Sequence, residues 1–202
     1  NKEYSNSEIV YTGKKYSNET VGVKYDVKVI STMISESKII AWFQGGSEFG
    51  PRALGNRSFI ANPADPNMKD ILNARIKFRE WFRPFAPSVT EENCQEYFDI
   101  DVPSPFMLYT CPVKKPDLVP SITHVDGTAR VQTVSKNDNP TYYELIREVE
   151  KYTNIPMVLN TSLNINGQPI VETIEDAIDL FNNSDVDAIV INNRMILKWK
   201  KL

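Results

Sequence analysis

The pattern of apolar residues along the chain predicts one α/β or α+β domain in which helices pack on a mixed sheet. Short apolar runs, typical of buried strands, are interleaved with segments of helical periodicity. Two pairs, Asp65-Pro66 and Asn139-Pro140, combine an N-cap residue with a proline at the first helical position. The 202 residues, 41% of them hydrophobic, are enough to bury one large core.

In the first third of the chain, one helix and two strands are predicted after a polar segment. Residues 1–20 are rich in Ser, Asn and Lys, so we expect an N-terminal arm or linker there and assign 21–202 to the domain. Apolar residues recur at helical spacing within 26–37 and predict a helix. The apolar runs 39–43 and 58–61 predict buried strands on either side of a glycine-rich turn.

The middle third is predicted to contain two helices and three strands. A helix is predicted from Asp65 to about Arg75, and Thr90 is expected to cap a shorter helix that ends at Tyr97. Strands are predicted at 85–89, 106–111 and 129–134.

The last third contains the clearest start signals. Asn139-Pro140 opens a helix that ends near Tyr152, and Thr173 with Asp176 forms the capping-box pattern of a helix that ends near Asn182. Strands are predicted at 157–159, 187–191 and 195–199, the last two joined by a hairpin turn at Asn192-Asn193.

Composition narrows the classes of function. The net charge of −3 argues against a general nucleic-acid binder, which is usually basic. No run reaches the ~18 apolar residues of a membrane helix, so we expect a cytoplasmic protein with no membrane partner. Cys94 and Cys111 are expected to be free thiols rather than a disulfide. A single histidine, His124, excludes a His-rich metal site, so we predict no metal-binding residues and interpret His124 as structural.

Four segments have compositions that packing alone does not require. Glycines let backbone N–H groups approach a ligand, and cations between apolar walls attract an anion more strongly than cations in water. Each segment also has a simpler interpretation, as a mobile turn, an amphipathic segment or a turn with one exposed arginine. The segments are GGSEFGPRALGNR (45–57), IKFREWFRPFAPS (76–88), HVDGTARVQ (124–132) and NTSLN (160–164).

The distribution of charge favours a binding site in the first two segments. Residues 48–83 contain seven Lys or Arg and four Asp or Glu, whereas 172–187 contain six acidic and no basic residues. Arginine binds phosphates in bidentate fashion, and each charge-assisted hydrogen bond contributes about 1.5–3 kcal/mol. An acidic chain that gathers its arginines in this way is predicted to bind a small anionic ligand.

In these segments the sequence resembles the O-carbamoyltransferase family, which includes nodulation-type and antibiotic-tailoring enzymes. The resemblance implies a C-terminal domain with a YrdC-like fold, a twisted mixed sheet with helices packed on it. Such a domain takes ATP and carbamoyl phosphate and forms carbamoyl-adenylate. An N-terminal domain of the same protein, absent from this chain, would bind iron and the hydroxyl acceptor and complete the transfer. The matching stretches, in the family's order, are EFGPRALGNRS, IKFREWFRPFAPS, THVDGTARVQTV and VLNTSLN.

Carried onto matching positions, the resemblance implies six residues that bind the substrates. Lys77 and Arg130 are expected to be catalytic, acting on carbamoyl phosphate and on the charge that develops. Mg²⁺ is expected to arrive with the nucleotide, because no cage of carboxylates is visible in the sequence. The residues expected to hold phosphates or to orient phosphate and carbamoyl oxygens are Arg52, Arg83, Asn160 and Ser162.

One departure from the family leaves other classes open. Where family members often read Asp-Pro-Arg, this chain has Asn62, Pro63 and Ala64. The missing arginine puts one phosphate contact in doubt. The alternatives are a YrdC-like nucleic-acid-binding module and a catalytically inactive regulatory or docking domain. The sequence does not identify the carbamoyl acceptor.

Overall fold

The computed structural model describes residues 22–198, which form two sheets and five α-helices. The strands are β1 (Val23–Lys24), β2 (Ile40–Phe43), β3 (Arg57–Ala61), β4 (Ala86–Thr90), β5 (Thr110–Pro112), β6 (Thr128–Arg130), β7 (Gln132–Val134), β8 (Met157–Ser162), β9 (Ala188–Ile191) and β10 (Arg194–Leu197). The α-helices are α1 (Val27–Ser35), α2 (Met68–Ile71), α3 (Cys94–Tyr97), α4 (Pro140–Thr153) and α5 (Ile174–Asn183).

The main sheet has eight strands in the order β1-β10-β9-β2-β3-β8-β4-β7, and β5 pairs with β6 in a separate small sheet. Two pairs in the main sheet, β2 with β9 and β4 with β7, are parallel, and the other pairs are antiparallel. The sheet is therefore mixed, as the sequence predicts.

Each face of the main sheet is covered by its own apolar core. α1 and α4 pack on one face, in the core that contains Trp42 and Val158. α2, α3, α5 and the small sheet contribute to the core on the other face, which contains Phe59 and Leu159. Successive side chains of a strand point to opposite faces, so Val158 and Leu159 of β8 belong to different cores. The predicted fold class is confirmed.

The helices α4 and α5 and the β9–β10 hairpin agree with the local signals that predict them. Asn139 Oδ1 accepts a hydrogen bond from the backbone N–H of Tyr142 at the start of α4, and Thr173 with Asp176 forms the capping box of α5. β9 and β10 pair as the predicted hairpin. Residues 1–20 and residue 199 of the last predicted strand lie outside the described residues.

Two helices differ from their predictions. Asp65 Oδ1 accepts a hydrogen bond from Asn67 N in a turn, so α2 begins only at Met68 and continues as a π-helix over Leu72–Lys77. The next helix covers the predicted residues, as a 3₁₀ turn over Glu91–Asn93 followed by α3, and Thr90 lies at its N-cap position. The Thr90 hydroxyl donates to Asn93 Oδ1, however, and makes no side-chain capping bond.

Three strands also differ in extent. In the predicted strand 106–111, Met107 has φ 54°, which breaks the extended backbone, and β5 begins only at Thr110. The predicted strand 129–134 divides into β6 and β7, which belong to different sheets. The predicted strand 157–159 continues to Ser162, so three of the five residues of the NTSLN segment are strand. Within the described range, no helix is long and apolar enough to cross a membrane.

Candidate functional site

A small cavity lies where two loops meet the ends of β6 and β8. We call residues 44–56, between β2 and β3, the glycine loop, and residues 78–85, between the π-helix and β4, the aromatic loop. The cavity has a volume of about 120 Å³. Four of the six predicted site residues line it, namely Arg52, Arg130, Asn160 and Ser162, and Arg79 and Thr161 complete the polar part of the lining.

Three arginines give the cavity its charge. Within the described range, no Asp or Glu lines the cavity or forms an ion pair with Arg52, Arg79 or Arg130. Burial and the nearby Arg52 lower the pKa of Arg130. Burial and the nearby Arg83 likewise lower the pKa of Arg79. Positive charge is thus crowded around a partly dry space, an arrangement that a bound anion would relieve.

Two of these arginines differ in whether their Nε–H group has a hydrogen-bond acceptor. Arg79 Nε donates to Asn73 Oδ1 at 2.7 Å, and its guanidinium lies 4.6 Å from the centroid of the Phe85 ring. Arg130 Nε is buried and has no hydrogen-bond partner among the described residues. A buried N–H without an acceptor is unfavourable, so Arg130 presents a donor that a ligand oxygen would satisfy.

Asn160 lies in the middle of a buried hydrogen-bond network under the cavity. Its Nδ2 lies 3.1 Å from Ala53 O, 3.0 Å from Ser88 Oγ and 3.1 Å from Gln132 Oε1. Ser88 Oγ in turn donates to Gln132 Oε1 at 2.6 Å, and Gln132 Nε2 donates to Leu54 O at 2.8 Å. Asn160 Oδ1 is buried and has no partner among the described residues. The network ties β4, β7 and β8 to the glycine loop.

Lys77 is placed behind the cavity rather than in its lining. The side chain is 4% exposed, and Nζ donates to Asn164 O and Asn164 Oδ1 at 2.9 Å each and lies 3.3 Å from Ser162 Oγ. Ser162 Oγ donates to Asn164 Oδ1 at 2.6 Å. Burial, with a smaller effect of Arg79, lowers the pKa of Lys77 to about 7. Lys77 therefore contacts the cavity through Ser162 and holds the end of β8.

Arg83 does not line the cavity. It forms an ion pair with Glu80 at 2.7 Å, and both side chains are about half exposed. Arg79 occupies the cavity instead because the chain turns at Phe78, which has a left-handed φ of 46° after the π-helix. Sequence reasoning missed Arg79, Thr161 and Asn164. The cation spacing in IKFREWFRPF does not reveal a left-handed residue, so nothing in the sequence favours Arg79 over Arg83.

The glycine loop is organised by the carboxylate of Glu48. Its Oε1 accepts hydrogen bonds from the backbone N–H groups of Leu54 and Asn56 at 2.7 Å and of Arg57 at 3.2 Å. Burial raises the pKa of Glu48, although these three hydrogen bonds act in the opposite direction. The closed loop holds Arg52 at the cavity.

The fold and the site together define a mixed-sheet α/β domain with an arginine-lined cavity beside its central strands. The chain belongs to the carbamoyltransferase C-terminus family, whose model matches residues 31–198.

Known proteins agree with this assignment. The chain is 48% identical over 170 residues to the nodulation protein NolNO of Sinorhizobium fredii, a match that covers 82% of this chain and 25% of that protein. The chain thus spans about a quarter of the length of this relative.

Two solved structures share the fold. Full-length HypF in a phosphate- and nucleotide-bound form matches with a TM-score of 0.59 and 24% identity, over 83% of this chain and 25% of that one. Sua5 of P. abyssi complexed with L-threonine matches with a TM-score of 0.58 and 18% identity, over 83% of this chain and 47% of that one. At these identities the likeness establishes the fold alone.

Proposed function

We propose that this chain binds carbamoyl phosphate and ATP and forms carbamoyl-adenylate, which an N-terminal domain of the same protein uses to carbamoylate a hydroxyl acceptor. The observation that carries the proposal is the cavity lined by Arg52, Arg79 and Arg130, with no acidic residue in its described lining. The family to which the chain belongs supports the transfer of a carbamoyl group.

The size of the cavity indicates which part of the substrates it holds. Pockets for drug-sized ligands measure about 300–1,000 Å³, so a cavity of about 120 Å³ suits a small anion and not a whole nucleotide. We assign carbamoyl phosphate, or the α-phosphate and carbamoyl part of the adenylate, to this cavity. The rest of ATP and its Mg²⁺ would lie outside, at the mouth. Full-length HypF, which shares the fold, is known in a phosphate- and nucleotide-bound form.

The proposed reaction joins two anions that repel each other. Water first releases carbamate and inorganic phosphate from carbamoyl phosphate. A carbamate oxygen then attacks the α-phosphorus of ATP, forming the mixed anhydride while pyrophosphate leaves. Arg130 and Arg52 would neutralise the charge on the reacting oxygens. Arg79, which lies on the aromatic loop, would bind a phosphate oxygen of the ligand. Lys77 would position Ser162 through the hydrogen bonds at the end of β8.

In this proposal, the acceptor hydroxyl and the metal ion are bound outside this chain. Within the described range, no group of three or more His, Cys, Asp or Glu side chains is placed to hold a metal ion. From the family resemblance, we propose that the N-terminal domain binds iron and the acceptor hydroxyl. NolNO is about four times as long as the matched segment, which leaves room for such a domain.

The substitution Arg130→Lys tests the binding part of the proposal. Lysine keeps the charge but loses the planar fork of donors, so affinity for carbamoyl phosphate should fall about ten- to hundredfold, as expected for one charge-assisted bond. Calorimetric titration measures the affinity, and an unliganded thermal melt should be nearly unchanged. Arg83→Lys is the matched control, since Arg83 is ion-paired outside the cavity. Equal affinities in both variants would remove Arg130 from the site.

The exchange of labelled pyrophosphate into ATP tests the catalytic part. We expect exchange that depends on added carbamoyl phosphate. A chain that binds carbamoyl phosphate and shows no exchange would be a docking or regulatory domain, and the proposed activity would be wrong.

A further inference from the structure

The orientation of the Asn160 side-chain amide is fixed by neighbours that can only accept hydrogen bonds. Ala53 O is a backbone carbonyl at 3.1 Å from Asn160 Nδ2. Gln132 Nε2 donates to the backbone carbonyl of Leu54, so Gln132 must present its Oε1 to Asn160. An exchange of the amide oxygen and nitrogen of Asn160 would place an acceptor against these two acceptors. Nδ2 therefore makes hydrogen bonds within the protein, and Oδ1 is the polar atom of Asn160 that has no partner among the described residues.

The unpaired Oδ1 of Asn160 determines which hydrogen-bonding group a ligand must supply. Asn160 is 1% exposed and lines the cavity, and its buried Oδ1 has no partner among the described residues. A carbonyl oxygen accepts, so it needs an N–H or O–H donor. Arg130 Nε, buried in the same lining and also without a described partner, needs an acceptor. The ligand that satisfies both atoms carries a donor beside anionic oxygens.

A carbamoyl group meets both requirements, since its amide nitrogen bears two N–H groups next to an oxygen. We propose that Asn160 recognises this amide nitrogen through Oδ1, while the cavity arginines bind the oxygens. This inference rests on the proposed function and adds the residue that selects a carbamoyl ligand among acyl phosphates of similar charge. It also changes the role expected from the sequence, in which Asn160 and Ser162 orient oxygens.

Acetyl phosphate is the matched probe, because a methyl group replaces the amide nitrogen while the phosphate is kept. The affinities of the 202-residue chain for freshly dissolved carbamoyl phosphate and acetyl phosphate are measured by calorimetric titration. We expect carbamoyl phosphate to bind about 10- to 100-fold more tightly, because acetyl phosphate would bury the Asn160 oxygen without a donor. In Asn160→Leu, which keeps the branched shape and removes the acceptor, the preference should shrink to about threefold or less.

A second variant separates the role of Oδ1 from the integrity of the network. Ser88→Ala removes one neighbour of Asn160 Nδ2 and leaves Oδ1 untouched, so the preference for carbamoyl phosphate should persist even if the melting temperature falls. Where Asn160→Leu does not fold, Asn160→Ala removes the same acceptor with a smaller side chain.

The possible outcomes distinguish a failure of the role assigned to Asn160 from a failure of the proposed function. Equal affinities of the unaltered chain for the two ligands overturn the role of Asn160 and leave anion binding intact. A preference that survives in Asn160→Leu, or in Asn160→Ala where that variant is used, also overturns it. Failure to bind either ligand contradicts the proposed function itself.

Discussion

The glycine loop and the aromatic loop each bring one arginine to the same cavity, but they are held in different ways. In the glycine loop, the Glu48 carboxylate binds backbone N–H groups of its own loop. Arg57, at the start of β3, is fully buried, stacks 3.5 Å from the Phe43 ring centroid and donates to Gln44 O at 2.7 Å. This loop is closed on itself by two charged groups and continues directly into the main sheet.

Three polar groups of the aromatic loop share one neutral partner, the side chain of Asn73. Asn73 is 1% exposed, and its Nδ2 donates to Trp81 O and Arg83 O at 3.1 Å each. Its Oδ1 accepts the hydrogen bond of Arg79 Nε. Three aromatic side chains of the loop are more than half exposed, namely Phe78, Trp81 and Phe82.

Mutations in the two loops should differ in their effects on the free energy of unfolding and on ligand affinity. Damage to the glycine loop should lower the free energy of unfolding, because the loop is built into the middle of the sheet. Damage to the aromatic loop should lower ligand affinity with a smaller effect on unfolding, because much of the loop lies outside the apolar cores. The predictions below test this division, beginning with the largest effect.

Gly55→Ala should have the largest effect. Gly55 has a φ of 103°, and a Cβ there would lie 2.2 Å from Cδ1 of the fully buried Tyr142. Backbone strain and overpacking together should cost about 3–5 kcal/mol of unfolding free energy. Urea denaturation measures the loss. Gly50→Ala is the control in the same loop: its φ is 124°, but no atom lies within 4 Å of the added Cβ. It should cost only the backbone strain, about 1–2 kcal/mol. Equal losses in the two variants would refute tight packing at Gly55.

Glu48→Ala should come next. The backbone N–H groups of Leu54, Asn56 and Arg57 would lose their acceptor, which should cost about 2–3 kcal/mol in urea denaturation. Glu48→Gln keeps an acceptor oxygen and removes the charge whose burial raises the pKa of Glu48, so we expect less than half of that loss. If Glu48→Ala left stability unchanged and reduced only anion affinity, the division between the two loops would be wrong.

Asn73→Ala should show the opposite pattern. Arg79 and the loop carbonyls would lose their common partner, so Arg79 should sample positions away from the cavity and anion affinity should fall about three- to tenfold. Titration of inorganic phosphate and a thermal melt measure both effects. Arg83→Ala, in the same loop, should leave the affinity within about twofold because Arg83 is ion-paired to Glu80 at the surface. An affinity unchanged by Asn73→Ala would mean that Arg79 does not depend on this contact.

Some elements of the fold can be predicted from local signals in the sequence, whereas others depend on tertiary packing. Local signals with a defined geometry, such as Asn139 before Pro140 and the Thr173–Asp176 capping box, place α4 and α5 correctly. Four of the six residues that the family resemblance implies line the cavity, namely Arg52, Arg130, Asn160 and Ser162, and their roles in binding stay predictions. The choice of Arg79 over Arg83 depends on the π-helix and on left-handed Phe78, which are set by tertiary packing and leave no periodic signal.

The smallest predicted effect concerns Lys77, the last residue of the π-helix before the aromatic loop. Burial and Arg79 lower its pKa to about 7, well below the ordinary value of 10.5. In the free protein at pH 8, most Lys77 side chains should therefore be neutral. An anion in the cavity favours the ammonium form and raises this pKa, so binding should take up protons. Anion affinity should consequently decrease as the pH rises from 7 to 9, by about three- to fivefold.

Sulfate is the suitable probe for this effect because it does not titrate in that range. Burial lowers the pKa of His124 below its ordinary value of 6.5, so His124 should stay neutral throughout. Titrations in two buffers of different ionisation enthalpy measure the proton uptake directly. Lys77→Met should abolish the uptake and flatten the pH dependence. Uptake that persists in Lys77→Met would assign the titration to another group, and Lys77 would then be a permanently charged residue that fixes the end of β8 through Ser162 and Asn164.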